Sequence, residues 1–311
     1  MINFSKFNSI CALATYFNTE GKCKQAIAEY RWRDGDVVCP YCGGHHCHTR
    51  ADGRYRCPNC KGNFSVTVGT IFENTKIPLR KWFMAMYLIS CHKKGISSCQ
   101  LAVDIAVTQK TAWFILHKIR SLFAQDDSVA LEDEVECDEL FLGGRETNKH
   151  ASKKTEHTQG RSLKTKTPIF GMAEREGRVV SMVVPDTKSA TLLPIIKQFV
   201  ADNAHIFTDD CNAYGNLTKE GYKHSIIKHS IKEYVEGDVT TNTIEGFWGH
   251  FKRTVFGTYH FVSRKYLQRY VDEAVYRYNT SGIAECGRFF DMFSKSIGKF
   301  DYLDVRMERI G

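Results

Sequence analysis

Between Thr240 and Thr280 the apolar positions follow a helical period twice. Ile244, Phe247, Trp248, Phe251 and Val255 recur three and four residues apart, which predicts a helix with one buried stripe, and YLQRYVDEAVYRYN predicts a second. The other face of the first helix carries Asn242, Glu245, Gly249 and Lys252, so an amide, a carboxylate, a gap and an ammonium lie in one line. Two readings of that face stand side by side. A carboxylate fixed over an apolar base, with a cation two turns further on, suits a metal ion beside a phosphodiester. Alternatively, Asn242 is the N-cap and Glu245 its capping-box partner, which satisfies backbone donors and nothing else.

Upstream the period changes to two. EVECDELFLGG predicts a strand with Val135, Cys137 and Glu139 on one face and Glu134, Glu136 and Asp138 on the other. PIFGMAER and RVVSMVVPD predict a hairpin across Glu176-Gly177, followed by a helix over Ala190 to Asp202. AHIFTDDCNAY lacks alternation, as a strand buried on both faces does, and ends in Asp209; KHSIIKHS predicts one more strand. This order gives an α/β fold with a sheet flanked by helices, in which the first and fourth strands can lie side by side.

The first half of the chain reads differently. Helices are expected over Ser9 to Phe17 and Lys22 to Arg31, then a strand in NFSVTVGTIFENTK, then helices Leu79 to Lys93, Ser97 to Ile105 and Gln109 to Ala124. The last three have the rhythm of a helix-turn-helix, with Thr108, Gln109 and Lys110 at the start of a recognition helix; a plain bundle with Trp113, Leu116 and Ile119 inside is the alternative. The expected divisions are a helical N-terminal segment (1–36), a cysteine-rich module (37–75), the three helices (78–125), the α/β domain (131–282) and a C-terminal tail (283–311).

Composition narrows the class. With 311 residues, 42% hydrophobic and 25% charged, the chain has enough material for two or three globular domains. The run Trp82 to Cys91 is half a bilayer span and the N-terminus lacks signal-peptide regions, so a cytoplasmic protein is expected. Twelve cysteines in that compartment must be reduced or metal-bound. A net charge of +8 favours polyanionic partners.

The cysteines supply the sharpest local signal. CPYC and CPNC place Cys39, Cys42, Cys57 and Cys60 as two C-x2-C corners with fourteen residues between them, the pattern of a zinc ribbon. Four thiolates close a tetrahedral Zn2+ site, so this ion is structural; His45, His46, Cys47 and His48 crowd the first corner and could substitute as ligands, but read as loop residues.

A second centre follows from the acids. Asp138 and Asp209 fall on strands expected to be neighbours, and the helix from Asn242 brings Glu245 to the same edge. Three carboxylates from separate elements repel unless a cation sits between them, and two Mg2+ ions would serve an in-line displacement at phosphorus. The stretch Arg145 to Thr167, with seven Lys or Arg residues, reads either as a solvated linker or as a phosphate-tracking arm.

Together the CPYC and CPNC ribbon, VECDELFLGG, IFTDDCNAY and NTIEGFWGHFKR with GTYHFVSRKYLQRYVDEAVYRYN resemble, over nearly the whole chain, the IS1595-type insertion-sequence transposases with an ISXO2-like catalytic domain, relatives of the Merlin elements. The resemblance implies a ribonuclease H-like fold and a DDE transposase that uses Mg2+ or Mn2+ to cut and join double-stranded DNA at its element's ends. It implies at least a homodimer in the synaptic complex, working at the nucleoid. It places the family's aspartates on Asp138 and Asp209 and its last motif on Asn242, Glu245 and Lys252. The resemblance allows either Asn242 or Glu245 as the third catalytic residue; Glu245 is taken as the metal ligand because its charge offsets Mg2+ better than an amide would, which leaves Asn242 as a cap or supporting group. Asp210 rivals Asp209 and is read instead as a helix cap. Lys252 and Arg253 are expected on substrate phosphates, and His250 and His260 in structural or DNA-contacting roles. Two other readings stay open: a silent DNA-binding regulator derived from a transposase, and a ribonuclease H-like nuclease that does not join DNA.

Overall fold

The computed structural model describes residues 2–125, 130–143, 150, 152, 154–155, 161–227 and 241–298. Two compact units are present: one formed by residues up to Leu122 together with those from Gly282 onward, the other spanning Phe123–Ser281.

In the first unit, α1 (Ile10–Tyr16) and α2 (Glu20–Arg31) start at Ser9 and Thr19, whose hydroxyls accept the amides of Ala12 and Lys22. α3 (Leu79–Cys91) lies in an aromatic core where Phe83 meets Phe17 and Phe293 edge-on, with ring centroids 4.9 and 5.4 Å apart. Phe293 belongs to α9 (Glu285–Ile297), within the stretch read as a tail. Phe289, Met292, Phe293 and Ile297 form its buried stripe, and Arg288 Nε donates to the Ser90 carbonyl at 3.1 Å.

The cysteine-rich module is a three-stranded antiparallel sheet of β1 (His48–Thr49), β2 (Tyr55–Arg56) and β3 (Asn63–Phe64). The strand expected beyond Phe64 does not form. Gly69 at φ +74° and a hydroxyl pair between Ser65 and Thr67 (2.7 Å) fold the segment into turns, overriding the β preference of its valines. α4 (Ser98–Asp104) and α5 (Gln109–Arg120) follow, joined by a tight turn in which Ala106 takes φ +50°. Thr108 is the N-cap of α5, accepting the Thr111 amide at 3.2 Å. Trp113 is half-buried, while Leu116 and Ile119 lie inside.

The second unit is a five-stranded mixed sheet of β4 (Glu134–Gly143), β5 (Lys166–Glu174), β6 (Val179–Val183), β7 (His205–Asp209) and β8 (Lys223–Ile227). The strand order is β6-β5-β4-β7-β8, with β4, β7 and β8 parallel and β5 antiparallel to both its neighbours. The first and fourth strands are therefore adjacent, as their pattern implied. One face buries Val135, Cys137, Phe170, Met172 and Ile206 with α6 (Ser189–Phe199), which ends short of Asp202 because Val200 bridges to Leu131. The other buries Leu140, Leu142 and Ile169 under α7 (Asn242–Thr254) and α8 (Leu267–Asn279). Most of the basic stretch 145–167 and the end of KHSIIKHS lie outside the described residues. Among those described, no helix is long and apolar enough to cross a membrane.

Candidate functional site

The parallel ladder between β4 and β7 runs only from Glu134↔His205 to Glu136↔Phe207. Beyond it both strands continue, and that fork carries Asp138 and Glu139 on β4 and Asp209 at the end of β7. Ligand atoms of Glu139, Asp209 and Cys211 lie within 4.8 Å of one another. The Asp209 carboxylate accepts the Cys211 amide at 3.1 Å, which fixes the turn leaving β7, and faces Arg161 Nη2 at 3.4 Å. Tyr214, itself buried, donates its hydroxyl to Glu139.

Asp138 occupies the opposite face of β4. Its partner across the ladder is Gly171 on β5, and a Cβ at Gly171 would meet Trp248 Cζ2 at 2.5 Å and Ile244 Cδ1 at 2.9 Å. The missing side chain thus lets α7 settle onto the sheet directly beside Asp138. The Trp248 indole Nε1 is buried there, without a hydrogen-bond partner of normal geometry and close enough to Asp138 to favour its ionised form.

Electrostatics tie these groups together. Lost hydration raises the Asp138 carboxyl to about 6; Asp209 and Glu245 add to the rise, and the Glu139 amide opposes it. Burial raises Glu139 to about 7, with the Tyr214 hydrogen bond opposing and the charges of Asp209 and Asp138 adding. Carboxyls that hold their protons this far up form a site short of positive charge.

Glu136 has a different task. It is fully buried, and its Oε2 accepts the amides of Thr243 and Ile244 at 2.8 and 3.0 Å, so a side chain from β4 caps α7. Its Oε1 takes Arg175 Nε at 3.0 Å, while Arg175 Nη1 reaches Glu134 at 2.6 Å. Asn242 accordingly makes no capping bond: the cap position is Thr241, and Asn242 is exposed as the first helical residue. Glu245 is exposed and accepts the Thr241 hydroxyl at 3.1 Å. Asp210 is exposed, and the turn it was read as capping is closed by Asp209.

The expected trio is thus brought into one electrostatic neighbourhood, but the tight set pairs Asp209 with Glu139 and Cys211 rather than with Asp138 and Glu245. Glu139 and Tyr214 were passed over in the sequence. Glu139 stands beside Asp138 on the other face of an ideal strand, and only the fork and the Tyr214 hydroxyl turn it into the cleft. Lys252 and Arg253 are exposed in the last turn of α7. In the first unit, Gln109 and Lys110 are exposed at the start of α5, and Gln109 Nε2 donates to Ser98 Oγ at 2.7 Å.

The four ribbon cysteines converge. Cys39 and Cys60 sulfurs are 3.7 Å apart and those of Cys42 and Cys57 3.6 Å, with all four within 4.8 Å. A tetrahedron with Zn–S bonds of about 2.3 Å has edges of about 3.8 Å, so the set fits Zn2+. Both corners fold alike: Gly43 and Lys61 take φ +70° and +60°, and Cys39 and Cys57 amides donate to the Gly44 and Gly62 carbonyls. The amides of Cys60 and Asn59 lower the Cys57 thiol, which favours its thiolate, while at Cys42 the Gly44 amide is outweighed by the neighbouring sulfurs, which raise that thiol, as expected of thiols crowded together for a cation. His45 and His46 bond Asp36 instead of joining the sulfurs.

Family models match both the α/β domain and the cysteine-rich module. A family model described as "ISXO2-like transposase domain" matches residues 130–279, and one described as "Transposase zinc-ribbon domain" matches residues 18–63. An "Uncharacterized protein in transposable element ISH50" of Halobacterium salinarum is 33% identical over 245 residues, covering 74% of this chain and 81% of that protein. An "Uncharacterized transposase-like protein" of Haemophilus influenzae is 33% identical over 106 residues, 34% of this chain and 85% of that protein. With its zinc-ribbon module and its mixed α/β domain, the chain belongs to the ISXO2-like, IS1595-type insertion-sequence transposases.

Proposed function

We propose that this transposase binds the double-stranded ends of its element and catalyses divalent-metal-dependent strand cleavage and strand transfer on a ribonuclease H-like domain. The observation that carries the reading is the meeting of Glu139 on β4 with Asp209 at the end of β7, beside an Asp138 that is raised by burial and by the charges of Asp209 and of Glu245 on α7. Carboxylate oxygens are hard donors and suit Mg2+ or Mn2+. Such ions, when bound, activate the attacking oxygen and stabilise the leaving oxygen at phosphorus.

Asp138, Asp209 and Glu245 are assigned as the catalytic ligands. Asp209 is oriented by its bond from the Cys211 amide, and Asp138 by its place beside Trp248. Arg161, now on Asp209, would be released toward a phosphate as ions enter. Lys252 and Arg253 extend from the same helix as Glu245 and would hold the backbone flanking the reacting phosphate. Asn242, three residues earlier on the same helix, would support Glu245 or take its place. In the first unit, Zn2+ on Cys39, Cys42, Cys57 and Cys60 would hold the ribbon, and α4 and α5 would act as a helix-turn-helix presenting Gln109 and Lys110 to terminal repeats. Joining two ends requires a homodimer or larger assembly.

The test is incubation with Mg2+, a supercoiled plasmid and labelled duplexes from the two flanks of the gene, with wild type and Glu245→Gln. Joined products from wild type alone support the reading. Joining by both variants removes Glu245 from the metal set, and binding without nicking or joining by either refutes catalysis.

A further inference from the structure

From Gly246 to Val271 the chain has no acidic residue, while Lys252, Arg253, Arg264 and Lys265 are exposed along it. The same stretch carries two of the most exposed large apolar side chains among the described residues, Phe256 at 56% and Phe261 at 78%. Neither belongs to a loose loop. Tyr259 and Val262 pack into the core between sheet and helices, and the Tyr259 hydroxyl donates to Glu273 at 2.9 Å. Val255–Tyr259 is a π-helical turn, and His260 takes φ +59°, its Nδ1 3.1 Å from the Phe256 carbonyl. π-turns and left-handed backbone in residues other than glycine carry a conformational cost and collect at functional positions. Here the backbone holds Tyr259 inward and the phenylalanines on either side of it outward. Exposed apolar rings on a stretch that carries four exposed cations and no acid of its own, its neighbour Glu273 being buried, have little use for a basic or an ordinary neutral protein surface. Bases do match: each offers an apolar face, and each is joined to a phosphate.

We infer that Phe256 and Phe261 form a stacking platform for bases unpaired from the duplex beside the cut, with Lys252, Arg253, Arg264 and Lys265 holding the phosphates of that strand. The inference rests on the transposase reading and names what its site would grip besides phosphate. The cations supply affinity without regard to bases, and the rings supply the part that depends on them.

The full chain is titrated with a mixed-sequence single strand of about 20 nucleotides and with an abasic strand of the same length, by fluorescence anisotropy. Wild type is expected to bind the base-bearing strand more tightly. The double variant Phe256→Ala/Phe261→Ala should lose about tenfold or more on that strand while keeping its abasic affinity within about twofold. Phe261→Trp should retain the preference, and Lys252→Ala/Lys265→Ala should weaken both strands and flatten the salt dependence. Equal wild-type affinity for the two strands, or binding to neither, overturns the platform, even where flank joining still supports the transposase. Equal losses on both strands from the double phenylalanine variant assign the rings a structural role. A change in oligomeric state by light scattering, with base preference intact, makes the surface a contact between copies of the chain and likewise overturns it.

Discussion

Asp138 and Gly171 stand opposite one another in the antiparallel ladder between β4 and β5, and the absence of a side chain at Gly171 is what lets Trp248 lie against that point. Gly171→Ala would force its Cβ into the Trp248 ring and Ile244, and backbone on one side with a packed core on the other leave little room to yield. The expected cost is about 1–3 kcal/mol. Strand transfer should fall further than stability does, because lifting α7 also moves Glu245. Urea unfolding alongside joining assays checks this; wild-type joining by Gly171→Ala would show that α7 can shift without harm.

Trp248→Phe separates packing from hydrogen bonding. The smaller ring should cost on the order of 1 kcal/mol in stability. Its loss of the indole N–H removes a donor that favours ionised Asp138, so half-saturation by Mn2+ should need severalfold more metal, with the rate at saturating metal changed less. An unchanged metal requirement would reduce Trp248 to a packing residue.

The raised carboxyls make a signed prediction for pH. Asp138 moves from 3.8 to about 6 and Glu139 from 4.5 to about 7, so between those values the folded protein binds protons that the unfolded chain has released. Their contribution to stability is fully present below the lower values and is lost as pH rises through about 6 and about 7. Metal-free protein should therefore lose melting temperature across this window, and saturating Mg2+ should restore it most at the alkaline end, where ions meet no competing protons. A melting profile whose pH slope is the same with and without Mg2+ would count against ions at this fork.

The same elements show what was legible beforehand. Strand periodicity and element order were enough to place β4 beside β7, since alternation and right-handed crossover leave few arrangements. The cysteine corners were readable because ligand spacing is local. Glu136 was not: it reads as one of three acids on a strand face, and only Arg175 and the start of α7, remote in sequence, make it a buried cap. Glu139 depended in the same way on Tyr214. α9 has a regular apolar stripe, but what buries it is the aromatic core of a unit whose other helices lie about two hundred residues earlier, as with Ser90 and Arg288. The strand expected from Asn63 onward forms but stops at Phe64, because the Ser65–Thr67 turn and a left-handed Gly69 fold the rest of the segment back.

Glu136→Ala should be the most damaging single change in the second unit. It strips the amides of Thr243 and Ile244 of their acceptor and leaves the guanidinium of Arg175 without its buried partner. Breaking one side of such a pair costs about 3–5 kcal/mol. Glu136→Gln keeps an acceptor for the helix and should recover a good part of the loss. If the two variants unfold alike, the charge rather than the cap holds α7 in place.

The ribbon allows a test of metal against thiol chemistry, because Cys47 is a fifth cysteine close to the four. Cys47 is buried and its Sγ lies 3.6 Å from the Gly44 carbonyl, outside the converging set. Cys57→Ser should abolish Zn2+ retention, measured by atomic emission on dialysed protein, whereas Cys47→Ser should retain it. Removing Zn2+ with a chelator should also perturb the fluorescence of Trp32, whose ring packs on Tyr55 with centroids 4.8 Å apart, because the thiolate corners are what hold that small sheet closed. Binding to duplexes from the element flanks should weaken in the same samples. The metal-linked melting response of the second unit should persist, since its carboxylates lie on a separate core. Zn2+ lost from Cys47→Ser and kept by Cys57→Ser would reassign the fourth ligand.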